Sequence, residues 1–519
     1  MSDPSARAPG AVAAATPEAA AAGVEILEAG GNAIDAAVAV SLVLGVTEPA
    51  GSGIGGQSTL LLHGPDQEPI VINGTSFAPA GIPADASLAD LSEHRATTIP
   101  TNLRALDFAH RRFGGGTLPW ARLVEPAITV AEEGYPLGEF RRRAMQRHVG
   151  AIRANATATR LLLGPDGRVP AVGALVRQPL TAATLRRIAD AGAEDFYRGG
   201  IARAITADME QAGGWLTAED LASLPDPQVL PALAGTYRGW DVFTLPPPAA
   251  GWVVLLALNI LEQAPVGELA LDGPSRLVRL SDSLAAAHQR RVMRPPPDLV
   301  RYEKAVAART SKERARAIAR VLPRYSGETT HFSLVDGAGL AVSVTQSLNS
   351  YYGARAAHPI LGFLYNDYMR EFVSGDADHP FALRPGAMPY SSMSATIVGR
   401  HGRPELALGS PGNDRIISAV VQVASHWVDV AHGLEAAVAA HRIHTLSGGE
   451  LLVELPPGDP ETVLALERHG HLVSHPVSSL EVGSLNAYFG GVNAVALEHG
   501  AWTAVADPRR DGVGRVTGE

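Results

Sequence analysis

A short motif, Thr-Thr-His at residues 329–331, places two hydroxyl groups at the start of a predicted strand. The runs "HFSLVD" and "LAVSVTQS" that follow alternate apolar and polar residues with period two, and "GAG" between them suits a three-residue hairpin loop. If Asp336 pairs with Leu340, the same register brings Thr329 opposite Ser347, with their side chains about 5 Å apart. The sequence therefore predicts two hydroxyl groups that meet at the open end of a hairpin.

A threonine hydroxyl at this position becomes a good nucleophile only with help. Hydroxyl groups attack carbonyl carbons poorly unless a base stands beside them, and the α-amine of an N-terminal threonine, with a pKa of roughly 7.7–8.0, is such a base. An internal threonine gains that amine only if the peptide bond before it is cut. Threonine is also common in ordinary half-buried strands, so the spacing alone leaves both interpretations open.

The composition excludes several other kinds of chemistry. The chain has 519 residues, 46% of them hydrophobic, which is typical of a large globular protein, and its net charge of −10 disfavours nucleic-acid and anionic-membrane partners. Cysteine is absent, which removes disulfides, thiolate nucleophiles and cysteine zinc sites. The two lysines, Lys304 and Lys312, do not follow glycine, so a phosphate-binding loop is excluded and a Schiff-base lysine is disfavoured.

Common cofactor and metal motifs are missing or misplaced. The stretch "GSGIGG" formally fits a dinucleotide-binding pattern, but a helix and Pro49 precede it and a strand follows, which reverses the required order. We interpret it as a tight loop whose glycines adopt positive φ angles. No H-E-x-x-H or G-x-S-x-G motif occurs and the 17 histidines are scattered, so we expect no cofactor and no metal.

The N-terminal residues lack the basic start and leucine-rich core of a secretory signal. The most apolar run, "AIDAAVAVSLVLGV", spans about 14 residues and contains Asp35, so it is too short and too polar to cross a bilayer. We expect a cytoplasmic protein that has no membrane partner and acts on a small molecule.

Local signals predict the elements that must position the threonine. Thr16 and Pro17 are typical of a helix start, Asn32 starts the next helix, and the glycine-rich loop leads into an apolar strand, "STLLLHG". Residues from about 100 to 320 have mostly helical patterns, and short alternating strands follow the Thr-Thr-His motif. We interpret the charged, proline-rich residues 294–328 as an exposed segment that leads into those strands.

A long series of stretches stands in the order of a known family: "EAGGNAIDAAVAVSLVLGVTEPAGSGIGG", "PWARLVEPAITVAEEGYPL", "DFYRGGIA", "GGWLTAEDL", "GTYRGWDVFTLPPPAAG", "TTHFSLVD", "YSSMSATIV", "LGSPGNDRII" and "VADPRRDG". In these stretches the chain resembles the γ-glutamyltransferase (glutathione hydrolase) family of N-terminal-nucleophile hydrolases, over nearly its whole length.

The resemblance implies an α/β (α+β) fold, the αββα four-layer sandwich of N-terminal-nucleophile hydrolases. Such proteins are made as one inactive precursor that cuts itself before the first threonine of the T-T-H motif, which here is the Glu328–Thr329 bond. Residues 1–328 would form a large subunit and residues 329–519 a small subunit that stay associated, with a higher oligomer left open. Thr329 would then attack a carbonyl to give an acyl-enzyme, which water or an acceptor amine resolves.

The resemblance also assigns supporting roles. The family's auxiliary hydroxyl matches Ser347, where threonine is usual, and its substrate-binding asparagine matches Asn349. Paired serines that hold the substrate carboxylate match "YSSMS", and a two-glycine oxyanion hole matches "GSPGN", where only backbone N–H groups are needed. The residues matched in these two stretches are Ser391, Ser392, Gly412 and Asn413.

Two parts of the family's glutamate-recognition site are altered. Where the family has an arginine that clamps the γ-glutamyl α-carboxylate, "TSFAP" has Thr75, and a hydroxyl cannot replace a bidentate charged contact. Where the family grips the α-amine with an acidic or amide residue and an aspartate, "YNDYMREF" has Tyr368 and Glu371. A γ-glutamyl peptide is therefore not the expected substrate, although these positions would still line the substrate site.

Three interpretations follow. The first is a self-processing hydrolase in the biosynthesis of a natural product such as an antibiotic, similar to relatives in lincosamide and pyrrolobenzodiazepine pathways, with C–C bond hydrolysis at an activated carbonyl of an alkylproline-type precursor. The second is a γ-glutamyl or other amide hydrolase or acyltransferase, including acylases on cephalosporin-like or oxamate-like substrates. The third is an unprocessed, inactive binding protein, which the intact Thr329, Ser347 and Asn349 disfavour.

Overall fold

Two antiparallel β-sheets lie face to face at the centre of the computed structural model, with helices on both outer sides. The structure describes residues 8–83, 85–270, 273–291, 328–373, 378–430, 432–445, 450–454, 459–476 and 480–518.

The strands are β1 (Ala11–Ala14), β2 (Gln57–His63), β3 (Ile70–Gly74), β4 (Tyr135–Pro136), β5 (Leu175–Val176), β6 (Gln228–Pro231), β7 (Leu233–Tyr237), β8 (Trp240–Thr244), β9 (Thr330–Val335), β10 (Ala341–Ser347), β11 (Thr396–Arg400), β12 (Arg403–Gly409), β13 (Ile443–Thr445), β14 (Glu450–Val453), β15 (Leu472–Ser474), β16 (Glu481–Val482), β17 (Leu485–Asn486), β18 (Asn493–Glu498), β19 (Ala501–Ala506) and β20 (Val513–Val516).

The helices are α1 (Pro17–Glu28), α2 (Ala33–Thr47), α3 (Asn102–Phe113), α4 (Trp120–Glu133), α5 (Glu139–Ala154), α6 (Ala156–Leu162), α7 (Pro179–Ala191), α8 (Glu194–Arg198), α9 (Gly200–Ala212), α10 (Ala218–Ala222), α11 (Gly251–Leu261), α12 (Val266–Leu269), α13 (Pro274–Arg291), α14 (Arg415–Asp429), α15 (Leu434–Ala439) and α16 (Pro460–Arg468). Short 3₁₀ turns cover Leu88–Asp90, Glu93–Ala96, Tyr368–Glu371 and Ala487–Phe489.

The first sheet has the strand order β20-β1-β9-β10-β2-β3-β6, and the second has the order β19-β18-β12-β11-β8-β7. All neighbouring strands in both sheets run antiparallel. Strands β7 and β8 interrupt the region whose sequence looks mostly helical, and they form one edge of the second sheet. The first sheet, which carries the Thr-Thr-His motif, combines strands that lie far apart along the chain, from β1 to β20.

Alternate residues of each central strand face opposite layers, as strand geometry requires. Leu61 of β2, Ile397 of β11 and Val495 of β18 belong to the apolar cluster between the two sheets. Leu60 and Leu62 of β2 point the other way, into a cluster that they share with α1, α2 and α4. Every residue of β2, β9 and β10 is buried, because both faces of this sheet are covered.

The outer layers consist of α1, α2, α3 and α4 on the first sheet and α11, α13 and α14 on the second. Helix α2 is buried on all sides, which explains why its sequence has no polar face. The layers thus follow the order helix, sheet, sheet, helix. The αββα arrangement that the resemblance implied is confirmed.

The hairpin that carries the motif has the predicted register. Val335 pairs with Ala341 and Thr330 pairs with Gln346, the same alignment that the loop length indicated. The Asp336 backbone N–H closes the loop by donating to the carbonyl of Leu340 at 3.2 Å. The ladder ends at Thr330, so the preceding threonine lies at the open end of the hairpin.

The predicted helix starts are also confirmed. The Thr16 hydroxyl accepts a hydrogen bond from the Ala19 amide at the start of α1, and Asn32 forms a reciprocal capping box with Asp35 at the start of α2. The segment predicted to be exposed, residues 294–328, lies outside the described residues except for Glu328. Glu328 is buried and forms an ion pair with Arg510, so the prediction is wrong for that residue.

The prediction that the glycines of "GSGIGG" adopt positive φ angles is wrong, because none of Gly51, Gly53, Gly55 and Gly56 lies in that region. Close backbone contact explains them instead. A Cβ on Gly56 would lie 2.3 Å from the carbonyl oxygen of Ser347, and a Cβ on Gly51 would lie 2.9 Å from that of the motif's first threonine. The loop therefore packs directly under the hairpin end.

Among the residues that the structure describes, no helix combines the length and the apolar character needed to cross a membrane.

We predict that Gly56→Ala lowers the free energy of unfolding by about 1–3 kcal/mol, since its methyl group would collide with backbone that cannot move aside. Gly150→Ala is the control, because Gly150 is an exposed residue within α5 and has open space around it. Thermal unfolding of both variants checks this, and equal midpoints would contradict the role given to the loop.

Candidate active site

The Ser347 hydroxyl forms hydrogen bonds with three groups at the open end of the hairpin. It donates a hydrogen bond to the carbonyl oxygen of Glu328 at 3.0 Å and accepts one from the backbone N–H of Asn349 at 2.7 Å. The Thr329 hydroxyl also donates to it, at 3.4 Å. Thr329 and Ser347 are both buried, so the predicted meeting of two hydroxyl groups occurs, and it occurs beside the Glu328–Thr329 peptide bond.

The Glu328 residue is held on both its backbone and its side chain. Its backbone N–H donates to the carbonyl of Asn349 at 2.7 Å, and its carboxylate lies 2.8 Å from the guanidinium of Arg510. Arg510 also lies 3.6 Å from the carboxylate of Glu48, to which the Thr330 hydroxyl donates. Burial raises the pKa of Glu48 to about 7, although the arginine opposes that shift.

The histidine of the motif is structural. His331 is fully buried between the sheets, where its ring nitrogens lie 3.0 Å from the hydroxyl of Thr345 and 2.9 Å from that of Ser333. Burial lowers the pKa of His331 to about 3, so the imidazole is neutral. Its ring fills the space left by Gly409, where a Cβ would lie 2.3 Å from the ring.

A small cavity opens next to the threonine and collects most of the residues predicted from the sequence. Its lining consists of Glu328, Thr329, Asn349, Tyr368, Glu371, Tyr390, Ser391, Ser392, Met393, Asn413 and Ile416. Ser347, Gly412 and Thr75 are not among these lining residues. The structure thus brings together the residues just before β9, the segment after β10, a 3₁₀ turn, the loop before β11 and the start of α14.

Tyr368 and Glu371, which the resemblance matched to the family's amine-binding pair, both line the cavity. Glu371 interacts with the side chain of Asn349, whose backbone has a φ angle of 81° in the left-handed region. Burial raises the pKa of Glu371 to about 7, and the nearby carboxylate of Asp414 adds to the shift. The phenol of Tyr368 lies close to the Ser347 and Gln57 side chains, and burial raises its pKa.

A hydrogen-bonded network surrounds Ser392, which also lines the cavity. The Ser392 hydroxyl donates to Asn413 Oδ1 at 2.9 Å and accepts from Arg291, whose terminal nitrogen lies 2.6 Å away. Arg291 also forms an ion pair with Asp414 and donates to the hydroxyl of Tyr390 at 2.8 Å. This network fixes the serine and the asparagine relative to each other.

Sequence reasoning missed three members of this network. Tyr390 and Asp414 are direct neighbours of predicted site residues in "YSSMS" and "GSPGND", so adjacency to those motifs was a usable signal. Arg291 had no such signal, since it stands at the end of α13 and more than 90 residues before its partners.

The two residues matched to the oxyanion hole lie just before α14. Gly412 has a φ angle of 121° and Asn413 one of 53°, so both adopt left-handed backbone. Neither backbone N–H donates a hydrogen bond to another described residue. Two free N–H groups at the N-terminus of a 15-residue helix form a favourable place for negative charge.

Thr75 has a different environment from the one predicted. Its hydroxyl donates to Asn73 Oδ1 at 2.6 Å, and it does not reach the cavity. The neighbouring Ser76 amide donates to Gln57 Oε1 at 2.7 Å, which ties this loop to β2. The loop that carries the family's arginine therefore contributes no charged group to this cavity.

A buried threonine at the mouth of a hairpin inside an αββα fold is the arrangement that defines N-terminal-nucleophile hydrolases. A model of the gamma-glutamyltranspeptidase family matches residues 19–517, and the chain belongs to this family. It is therefore an enzyme of the hydrolase and transferase class. Among curated relatives, the glutathione hydrolase proenzyme of Escherichia coli (strain K12) is 30% identical over 491 residues, which covers 87% of this chain and 83% of that protein.

An acylase and two solved structures are also similar. The acylase ACY 1 proenzyme of Pseudomonas sp. (strain SE83) is 32% identical over 529 residues, covering 96% of this chain and 91% of the relative. The cephalosporin acylase from Bacillus halodurans has a TM-score of 0.84 and 27% identity over 99% of each chain. LmbA2991T421A has a TM-score of 0.77 and 24% identity over both whole chains, a likeness of fold alone.

We predict a pH dependence of stability that originates in Glu371. The folded state keeps the proton of this carboxyl up to about pH 7, whereas the unfolded chain releases it near its ordinary pKa of 4.5. Because the folded state binds more protons in this window, the free energy of unfolding falls by up to about 3 kcal/mol as pH rises through it, and then stays level.

Glu371→Gln should flatten this part of the profile, since the amide carries no proton to lose. Thermal unfolding midpoints between pH 4.5 and 8 measure the effect. Glu210→Gln on the exposed face of α9 is the matched control and should leave the slope unchanged. The buried Glu48 also makes stability fall as pH rises, so some slope should remain in Glu371→Gln. The test is whether that slope is smaller than in the wild type, and an unchanged slope would contradict the assignment.

Proposed function

We propose that this chain is a self-processing hydrolase whose nucleophile is Thr329 after cleavage of the Glu328–Thr329 bond. The observation that supports this most directly is the Ser347 hydroxyl, which donates to the Glu328 carbonyl while it accepts from the threonine hydroxyl. A hydrogen bond to a carbonyl oxygen makes the carbonyl carbon more electrophilic. The proenzyme names of the Escherichia coli and Pseudomonas relatives agree with such processing.

The processing reaction needs no group that the chain lacks. The Thr329 oxygen attacks the carbonyl carbon of Glu328, the C–N bond breaks, and the nitrogen takes up a proton to become a free α-amine. Water then hydrolyses the resulting ester, which releases the Glu328 carboxylate and restores the threonine hydroxyl. The products are a large subunit of residues 1–328 and a small subunit of residues 329–519.

The mature site would act through the same hydroxyl. The new α-amine takes its proton as the oxygen attacks a substrate carbonyl, and the backbone N–H groups of Gly412 and Asn413 receive the developing oxyanion. The leaving group departs with a proton from the threonine ammonium. Water then hydrolyses the acyl-enzyme to a carboxylic acid.

We propose a substrate without a γ-glutamyl head. Thr75 does not line the cavity, Tyr368 does, and burial raises the pKa of Glu371 to about 7. Such a lining suits hydrogen bonds and an aromatic contact better than a zwitterionic glutamate. We assign the enzyme to natural-product biosynthesis, with hydrolysis of a C–C bond at an activated carbonyl of an alkylproline-type precursor. In that reaction the bond's electron pair leaves on a stabilised carbanion, which is then protonated.

An acylase that cleaves an amide is the second candidate. The similarity to the cephalosporin acylase of Bacillus halodurans along nearly the whole of both chains, and to the ACY 1 proenzyme, favours it. The same nucleophile and oxyanion donors serve both reactions, and only the leaving group differs.

We predict that Ser347→Ala slows self-cleavage by about 10²-fold, because it removes the donor to the Glu328 carbonyl, and one such donor typically contributes 10²–10³ in rate. Mass spectrometry of the denatured protein over time follows the conversion of residues 1–519 into the two fragments. Ser347→Thr is the matched control and should process close to the normal rate.

Thr329→Ala should remain uncut throughout, as it lacks the attacking oxygen. A cut at another bond, or normal processing of Ser347→Ala, would contradict the proposed geometry. A wild-type chain that stays intact would exclude catalysis by an N-terminal threonine and would favour the inactive binding protein.

We predict that the mature enzyme hydrolyses γ-glutamyl-p-nitroanilide with a kcat/KM at least about 10³-fold below that for its preferred carbonyl substrate. A site without the charged clamp leaves the α-carboxylate and the α-amine of the glutamyl group unpaired. Two panels test the leaving group: acyl amides without an α-carboxylate and β-dicarbonyl compounds with an alkylproline-like tail.

Product masses distinguish the outcomes. An acid together with a C–H product indicates C–C hydrolysis, and an acid together with an amine indicates the acylase. Efficient turnover of the γ-glutamyl compound would overturn the substrate proposal while leaving the nucleophile in place.

A further inference from the structure

Three side chains of metal-ligating types meet outside the candidate active site, where they are partly or largely exposed. Asp282 extends from α13. His469 and His471 lie just after the end of α16, one on each side of Gly470. Their potential ligand atoms all lie within 4.8 Å of one another. His469 Nε2 is 2.9 Å from one Asp282 oxygen, and His471 Nε2 is 3.6 Å from the other.

The local backbone explains why both imidazoles face the same carboxylate. Gly470 has a φ angle of 97°, and the His471 amide donates back to the carbonyl of Leu466, which ends α16 with a tight turn. The two rings lie side by side with their centroids 5.6 Å apart. Leu466 is buried in one apolar cluster with residues of α13, so the packing of the two helices brings the turn after α16 close to Asp282.

We propose that Asp282, His469 and His471 form a Zn²⁺ site with a fourth position open to water. Two imidazoles and a carboxylate are a donor set that zinc prefers, at metal–ligand distances of roughly 2.0–2.2 Å. Tetrahedral geometry at those distances separates the ligand atoms by roughly 3.4 Å. The observed separations require shifts of about 1 Å or less in side chains that are partly exposed.

Two neighbouring groups compete with a metal at this place. The Ser281 hydroxyl lies 2.7 Å from His471 Nε2, so an ordinary hydrogen bond holds this ring when zinc is absent. Arg279 is a nearby cation, but its guanidinium is paired with Glu268 at 2.6 Å. The Asp282 carboxylate is hydrogen-bonded to His469 and lies 3.6 Å from His471, and the two imidazoles hold its pKa below the usual value although burial opposes this.

The position of the site would let the metal link the two subunits, and this role rests on the proposed self-cleavage. Asp282 precedes the Glu328–Thr329 bond, and both histidines follow it. After cleavage, zinc would connect the large subunit to the small subunit at the periphery of the second helical layer, where no peptide bond joins α13 to α16.

Titration of tag-free, chelator-treated protein with Zn²⁺ tests the site. We expect one equivalent to bind per chain and to raise the thermal midpoint, and His469→Ala to weaken binding at least tenfold. His471→Gln should weaken it similarly, while its amide keeps a donor for Ser281 and so preserves the fold. His475→Ala is the matched control, since this exposed histidine lies outside the cluster and should bind zinc normally.

The uncut Thr329→Ala precursor separates this inference from the proposed function. Zinc should bind to it as it does to the mature protein, because the ligands are present in both. Absence of saturable binding, or equal affinity in the double variant His469→Ala/His471→Gln, would overturn the site whatever the processing state. If zinc binds but chelation leaves the urea concentration that separates the mature subunits unchanged, the bridging role is wrong.

Discussion

The single proton of the Ser347 hydroxyl organises the site. Because the hydroxyl accepts from the Asn349 amide and from Thr329, its own hydrogen is directed at the Glu328 carbonyl. The rest of the architecture maintains this arrangement. The hairpin register sets the two hydroxyl groups opposite each other, and the glycine loop below lets β2 approach so closely that a Cβ at Gly56 would strike the serine carbonyl. Two central sheets with helices outside bury these groups.

Buried charges anchor the last residues of the chain to the same region. Arg509 pairs with Asp507 at 3.1 Å and with Glu454 at 2.9 Å, all three being buried, while the adjacent Arg510 reaches Glu328. Removing one partner from such a buried pair typically costs about 3–5 kcal/mol, because the other charge is left uncompensated. The C-terminal "VADPRRDG" therefore belongs to the active-site structure even though it does not line the cavity.

In the candidate site, the groups proposed to carry out the reaction differ from the groups proposed to recognise the substrate. The proposed nucleophile Thr329 and the proposed oxyanion donors before α14 need only backbone placement and one hydroxyl partner, and the structure contains both. Recognition of a zwitterion would require unpaired charges, whereas Arg291 is paired with Asp414 and burial raises the pKa of Glu371 to about 7. Such a lining agrees with the proposal that Thr329 acts on a less charged acyl group.

Local features were predictable from the sequence because they depend on residues that are neighbours along the chain. The helix caps at Thr16 and Asn32 and the hairpin register followed from side-chain chemistry, period two and loop length, and the resemblance supplied the layer order. Contacts between distant segments were not predictable in this way. The sequence could not show that Arg291 reaches Ser392, or that the glycine loop is needed for close approach rather than for positive φ angles. Such contacts depend on how whole layers pack, and packing is decided by the sum of many weak interactions that no short stretch contains.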